Sequence, residues 1–347
     1  MDNIKIFFNN QEIEVNPNDT ILEIAKKQGI EIPALCFDPN LIPFGSCFLC
    51  VVEIEGVNNF KPACSTKPTP GMKIKTSSEM IHKARKMALE LLLSNHYGDC
   101  LAPCTLACPA RVDVQGYIAL IAEKKYQEAT ALVKEKNPFP LSIGRVCTRP
   151  CESKCRRGFF EEPVAIDYLK RFAADFDINC DKPYLPKLKE KKNKKIAIIG
   201  AGPGGLSAAY YLTIEGYEST VFDKLPAAGG MLRYGIPEYR LPKKILDKEI
   251  SLMEKMGIQI KLNQELGKDF SLQDLKDNEF EAVIFAPGAQ KGMGMRVKGE
   301  ELPNVYVGVD FLREVALGNS AKIGKTVAVI GGGNTAMDAA RTALRLG

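Results

Sequence analysis

Six cysteines between Gly98 and Gly158 stand in two evenly spaced triplets. Cys100, Cys104 and Cys108 lie in GDCLAPCTLACPA; Cys147, Cys151 and Cys155 lie in RVCTRPCESKCRR. Thiols at this density form either disulfides or metal thiolates. The chain has eleven cysteines, an odd number, and its start, MDNIKIFFNN, has no basic segment followed by an apolar run. Both features favour thiolate ligands in a cytoplasmic protein over a secreted disulfide framework. Thiolates this numerous suit iron–sulfur clusters.

A second set lies upstream: Cys36, then Cys47 and Cys50 in GSCFLC, then Cys64 in PACSTKP. Four thiolates suit a [2Fe–2S] cluster, two per iron, and a structural zinc would accept the same donors. Three ligands on one loop with one distant, and small residues Gly45 and Ser46 that leave amides free for cluster sulfurs, favour iron. The elements needed to hold this loop are readable. IKIFFNNQEIEV is a hairpin turning at Asn-Asn. Asp19-Thr20 caps a helix through ILEIAKKQ that stops at Gly29, and VVEIEG is a strand that returns Cys64 to the site. This order is that of a β-grasp ferredoxin, assigned to residues 1–78.

The segment CFDPNLIPFGSCFLCVVEIEG resembles the N-terminal [2Fe–2S] domain of complex I large subunits and of multi-subunit hydrogenases. Those subunits also hold a cluster whose ligands begin His-x-x-x-Cys, and SNHYGDC resembles that start, which makes His96 a candidate iron ligand. EMIHKARKMALELLLSN, just before it, has helical periodicity.

From Cys108 onward, CPARVDVQGY, NPFP, GRVC and VAIDYLKRF resemble the iron–sulfur domain of the glutamate synthase small subunit. Dihydropyrimidine dehydrogenase and the large subunit of ferredoxin-dependent transhydrogenases share that domain. The resemblance implies an α-helical domain with two [4Fe–4S] clusters, assigned to residues 79–180. It also implies interleaved ligands. Cys104 and Cys155 belong to one cluster, with Cys100 and one further upstream ligand, for which His96 is available. Cys108, Cys147 and Cys151 belong to the other. In several members that second cluster takes a non-cysteine ligand where this chain has Lys170, and an ammonium group is a poor iron ligand, so the fourth ligand is left open. Cys180 lies outside every pattern and reads as an ordinary free thiol. Two helices broken near Lys124-Lys125 carry the chain between the triplets.

DKPYLPKLKEKKNK, residues 181–194, reads as a linker. KKIAIIGAGPGGLSAAYYLTIEGYESTVFDK then gives strand, glycine turn, helix and a second strand ending in an acid. Gly200, Gly202 and Gly205 occupy the dinucleotide fingerprint, the helix N-terminus faces the phosphates, and Asp223 is placed for the ribose hydroxyls. AAGGMLRYGIPEYRLPKKIL and EAVIFAPGA resemble the FAD-lining segments of the same flavoproteins, which implies Gly230, Met231 and Gly288 beside FAD. KTVAVIGGGNTAMDAARTALRLG is a second fingerprint, with Gly331, Gly333 and Ala336, which in that family binds NAD(P)H. The expected architecture is multidomain α+β and α/β, with a Rossmann-like FAD domain over 195–320 and the start of a Rossmann-like NAD(P) domain over 321–347. The fingerprint's next strand, which separates NAD from NADP, would follow Gly347, so a longer polypeptide is expected.

Functionally, the resemblance implies an iron–sulfur flavoprotein subunit of a multi-subunit, electron-bifurcating NAD(P)H:ferredoxin transhydrogenase. Its partners would be NAD(P)H, ferredoxin and other flavin or iron–sulfur subunits, one of which would dock on the [2Fe–2S] domain. Input subunits of hydrogenases, formate dehydrogenases or glutamate synthases, and a non-catalytic electron-conducting scaffold, are the alternatives. No side chain stands out as a catalytic acid, base or nucleophile, which suits hydride and electron transfer. No stretch of about 18 apolar residues predicts a membrane span. A net charge of +5 over 347 residues carries no nucleic-acid expectation.

Overall fold

The structure is a computed structural model that describes residues 3–95, 100–319 and 323–347. It divides into two compact units, residues 1–100 and 101–347.

In the first unit, β1 (Ile4–Phe8) and β2 (Gln11–Val15) form the expected antiparallel hairpin. Asn9 and Asn10 both take positive φ, the turn geometry that matches the strands' right-handed twist. α1 (Ile21–Lys27) begins at Thr20, whose side chain and Glu23 form a reciprocal capping box. β3 (Val51–Ile54), β4 (Lys61–Pro62) and β5 (Lys73–Lys75) complete a five-stranded sheet in the order β2-β1-β5-β3-β4. β1 and β5 pair in parallel, the other ladders antiparallel. Ile21, Ile24 and Ala25 of α1 bury against Ile6, Phe8, Val52 and Ile74 of the sheet, so period-2 and period-3.6 apolar patterns meet in one core. α2 (Glu79–Ser94) follows, capped by the Ser78 hydroxyl. Arg85, one turn into it, donates to the carbonyls of Val51 and Thr76 and ties it to β3.

The second unit begins with helices: α3 (Pro103–Ala107), α4 (Val114–Ala122), α5 (Tyr126–Lys134), α6 (Pro140–Val146) and α7 (Ile166–Ile178). Two 3-10 turns, Glu152–Lys154 and Arg156–Phe159, carry the second cysteine triplet. The predicted break between α4 and α5 is present, with Lys124 at φ 62. Residues 181–194 have no regular structure, yet they are held at both ends. The Tyr184 amide donates to Asp177, and the Lys189 and Lys192 amides donate to Ile214 and Gly216.

β6 (Lys195–Ile199), α8 (Pro203–Ile214) and β7 (Glu218–Phe222) then form a parallel β-α-β unit. α9 (Met231–Tyr234), α10 (Lys243–Lys255), β8 (Gln259–Lys261), α11 (Leu272–Asp277) and β9 (Phe280–Phe285) complete a four-stranded parallel sheet in the order β8-β7-β6-β9. α12 (Gly308–Ala316) and α13 (Asn334–Leu346) close the chain. The core of this half is continuous with the helices before it: Phe139 of the α5–α6 connection packs with Ile198, Leu206, Leu241 and Ile250.

The run TVAVI before the second fingerprint is not a strand, and Val327, Val329 and Ile330 are exposed. A strand exists only through its ladder, and among the described residues no other strand lies beside this run. Among the described residues no helix is long and apolar enough to cross a membrane.

Candidate functional site

All eleven cysteines are free thiols. Cys47, Cys50 and Cys64 are buried and Cys36 is half-buried. The Cys47 amide, joined by Cys47 and Ser46 side-chain contacts, pulls the Cys36 thiol down to about 7 against its own burial. Burial pushes the Cys64 thiol up to about 12, with Cys50 and Cys36 beside it adding to the effect. The four predicted ligands therefore neighbour one another. The loop is held from two sides. The first amides of α1, at Ile21 and Leu22, donate to the Thr66 and Ala63 carbonyls that flank Cys64, and the Ala63 amide donates to Cys50 O.

In the second unit, Cys104 and Cys108 pack against Tyr117, Cys151 and Ile166 in one core. Burial raises the Cys104 thiol, with Cys155 as its charged neighbour; burial raises Cys151 to about 11, with Cys147 as its neighbour. The Arg149 amide, at φ 60, donates to Cys147 Sγ at 3.3 Å, the kind of N–H···S contact that tunes a thiolate ligand. The buried Tyr117 hydroxyl donates to Ile166 O at 3.0 Å. Burial drives its pKa upward, and Cys151, Asp167, Cys108 and Cys104 add to the rise. Among the described residues no three His, Cys, Asp or Glu side chains gather tightly enough to hold a single metal ion. A multi-iron cluster makes no such demand, since its ligands bind different irons. Cys100 is exposed at the end of the first unit, and His96 lies outside the described residues.

The first fingerprint has the geometry of a dinucleotide cradle. Gly200 sits at φ 113, and a Cβ there would fall 2.2 Å from Ala286 O. A Cβ on Gly205 would fall 1.9 Å from Gly200 O, so helix and strand approach at backbone distance. Gly202 caps α8 with no side chain, and a Cβ at Gly204 would meet nothing within 4 Å, which leaves the helix N-terminus open to an anion. Asp223 directly follows β7. One carboxylate oxygen accepts from the Ala201 amide at 2.7 Å and the other from the Leu225 amide at 2.8 Å, so it braces the glycine turn as well as facing it. Gly230, at φ 50, packs its Cα on Gly202, and the Gly229 amide donates to Ala201 O at 2.7 Å. Met231 opens the short helix α9 that follows. Gly288, at φ 69, turns the chain after β9, whose extension hydrogen-bonds Ala286 N to Ile199 O. Thus Gly200, Gly202, Gly205, Asp223 and Gly230 meet at one turn, and Gly288 follows on the neighbouring strand.

At the second fingerprint, Gly331 has φ 124 and its absent Cβ would touch Ala336 at 3.4 Å, while Gly333 caps α13. α13 is fastened to the first fingerprint's domain through buried Asp338, which pairs with Arg240, and through Tyr239, whose ring lies under Arg341 and Arg345.

Residues 1–79 match the 2Fe-2S iron-sulfur cluster binding domain family. Residues 94–182 match the dihydropyrimidine dehydrogenase domain II 4Fe-4S family, and residues 194–347 the pyridine nucleotide-disulphide oxidoreductase family. The chain thus combines a 2Fe-2S, a 4Fe-4S and a pyridine nucleotide oxidoreductase domain. The NADPH-Fe(3+) oxidoreductase subunit beta of Geobacter sulfurreducens is 44% identical over 253 residues, 71% of this chain and 37% of that protein. The NADP(+)-dependent formate dehydrogenase subunit beta of Moorella thermoacetica is 42% identical over 270 residues, 71% of this chain and 38% of that protein. The NAD-dependent dihydropyrimidine dehydrogenase subunit PreT of Escherichia coli O157:H7 is 40% identical over 250 residues, 71% of this chain and 60% of that protein. The chain thus spans between 37% and 60% of the length of these relatives.

The residues present fit the groups these families carry. Free, mutually adjacent thiols suit clusters, and backbone-level contacts at Gly200 and Gly205 with an open helix N-terminus suit a pyrophosphate. Three residues of the site escape a spacing-based reading: Arg149, Tyr117 and Asp167. Only Asp167 left a trace in the sequence, an acid one helical turn before Lys170.

Proposed function

We propose that this chain is the NAD(P)H-linked iron–sulfur flavoprotein subunit of a multi-subunit cytoplasmic NAD(P)H:ferredoxin transhydrogenase. Its first 78 residues would be a β-grasp [2Fe–2S] domain. Residues 79–180 would be a helical domain with two [4Fe–4S] clusters, joined through 181–194 to an FAD domain over 195–320. Residues 321–347 would begin the NAD(P) domain. When bound, FAD exchanges a hydride with NAD(P)H and single electrons with the clusters.

The observation that carries this reading is the continuity of the second unit. The chain that runs from Cys108 to Cys147 passes through α6 within the apolar core of the FAD half, so these thiols and the dinucleotide cradle belong to one compact unit. The protein's own part is positional. α8 would offer its N-terminal amides to a pyrophosphate, Asp223 holds the glycine turn through the Ala201 amide, and Gly230 lets the AAGGM segment pack on Gly202. Cys36, Cys47, Cys50 and Cys64 would hold the [2Fe–2S] group, and Cys104 and Cys155 one [4Fe–4S] group with Cys100 and His96. Cys108, Cys147 and Cys151 would hold the other.

The relative named as a formate dehydrogenase subunit favours a second reading, electron input or output for a dehydrogenase partner. Anaerobic addition of NADPH or NADH to the complete protein tests both: the flavin absorbance bleaches and cluster signals grow. No bleaching with either nucleotide would leave only a scaffold. Co-purified subunits separate a transhydrogenase from a dehydrogenase complex, and about ten irons per chain are expected for three clusters.

A further inference from the structure

Asp167 lies in the first turn of α7, is only 2% exposed, follows Ile166 of the apolar core that holds Cys104, Cys108 and Cys151, and stands near enough to Tyr117 to act on its hydroxyl. Apart from two cations, neither of its carboxylate oxygens meets a hydrogen-bond donor, although a buried carboxylate ordinarily satisfies several. Two cations stand by it. Lys170 Nζ lies 2.8 Å from one oxygen and Arg149 Nε 3.4 Å from the other. Both cations also belong to the thiol site: Arg149 gives its backbone amide to Cys147 Sγ, and Lys170 stands near enough to Cys151 to act on its thiol. The Asp167 amide is anchored on Glu152, the residue after Cys151, at 2.9 Å.

A buried carboxylate thus shares its two cations with Cys147 and Cys151, two of the three thiols of the set Cys108, Cys147 and Cys151, and beyond those cations its oxygens meet no donor. That set lacks a fourth iron ligand, and position 170 offers an ammonium with no lone pair to give. Residue 167 shares the helix face of 170, one turn back.

We propose that Asp167 supplies the fourth ligand of the cluster held by Cys108, Cys147 and Cys151, with Lys170 and Arg149 as its counter-ions. This rests on the proposed assignment of those three thiols to one [4Fe–4S] cluster. The two cations explain how an anion added to an already anionic cluster is tolerated in a buried site. An oxygen donor in place of a thiolate also makes one iron unlike the other three.

Mössbauer spectroscopy of the full chain enriched in 57Fe tests this. The wild-type protein is expected to contain an iron site with non-thiolate parameters. In Asp167→Cys the number of such sites falls by one per chain while the iron content stays at about ten. In Lys170→Met that site persists. Should Asp167→Cys fail to fold, the wild-type spectrum alone decides: an absence of any non-thiolate site overturns the proposal. So does a spectrum unchanged in Asp167→Cys, or loss of the site in Lys170→Met, which would make position 170 the ligand. About six irons in the wild type would instead remove the cluster itself, and the assignment on which the proposal rests.

Discussion

Glu249 is a sharp test of how the flavin half holds the iron–sulfur half. It lies on α10, is fully buried, and accepts hydrogen bonds from the Leu141 amide at 2.8 Å, the Ser142 amide at 3.1 Å and the Ser142 hydroxyl at 2.6 Å. These amides are the first free donors of α6, whose own N-cap residue, Phe139, offers none. α10 therefore caps from a distance the helix that ends at Cys147. Burial pushes the carboxyl from its ordinary 4.5 up to about 7, against the pull of Ser142, Leu141 and the partly neutralising Lys134, which burial in turn drives down. Between those two pH values the folded state holds more protons than the unfolded chain, so stability falls as pH rises. The fall levels off above about pH 7. With each pH unit worth about 1.4 kcal/mol, the full descent from below pH 4.5 amounts to about 3 kcal/mol. Glu249→Gln removes the titration and keeps an amide oxygen as acceptor. Urea unfolding of wild type and variant, followed by flavin fluorescence at pH 5.5, 6.5 and 7.5, reads the difference in slope. The wild type is expected to lose about 2 kcal/mol relative to the variant across that range. Parallel pH profiles would refute the raised carboxyl and its trans-capping role. Glu249→Ala is expected to destabilise by about 3–5 kcal/mol at all three pH values, because three buried donors lose their acceptor.

Other outcomes follow from close contacts. Gly205→Ala pushes a methyl against Gly200 O, where the bare Cβ would already stand at 1.9 Å, and is expected to yield protein with little or no FAD by absorbance at 450 nm while iron content is kept. Gly45→Ala combines φ 68 with a Cβ 2.8 Å from Ser65 Oγ, beside the loop holding Cys47 and Cys64. It is expected to lower iron by about two per chain in elemental analysis and to leave flavin unchanged. Thr20→Ala removes the reciprocal cap of α1 and is expected to cost about 1 kcal/mol in the unfolding of the first unit, read by circular dichroism.

Much of the first unit was legible because its information is local. The Asn-Asn turn, the Thr20–Glu23 cap and the Gly29 stop each act within a few residues, and the periodic apolar positions around them name the core faces. The β6–α8–β7 unit was legible for the same reason, since a strand, a glycine turn and a helix are contiguous in the chain. The run TVAVI shows the limit. Its composition is that of a strand, but a strand depends on a neighbour supplied by another part of the chain. Asp223 shows a subtler one: its place at the strand end is local, whereas its bond to the Ala201 amide depends on how two strands lie side by side.

The sequence by itself determined which donors exist: the thiols at their spacings, the glycines at the two fingerprints and the order of the domains. These are matters of residue type and of distance along one chain. Only the tertiary structure decided which donors are left wanting partners. Asp167 lies 12 residues beyond Cys155 and Glu249 lies 107 beyond Ser142, and nothing in either stretch marks them as buried. Whether a carboxylate is ion-paired, capped or short of donors depends on every element packed around it. Burial is what turns that difference into a pKa, a ligand or a clasp.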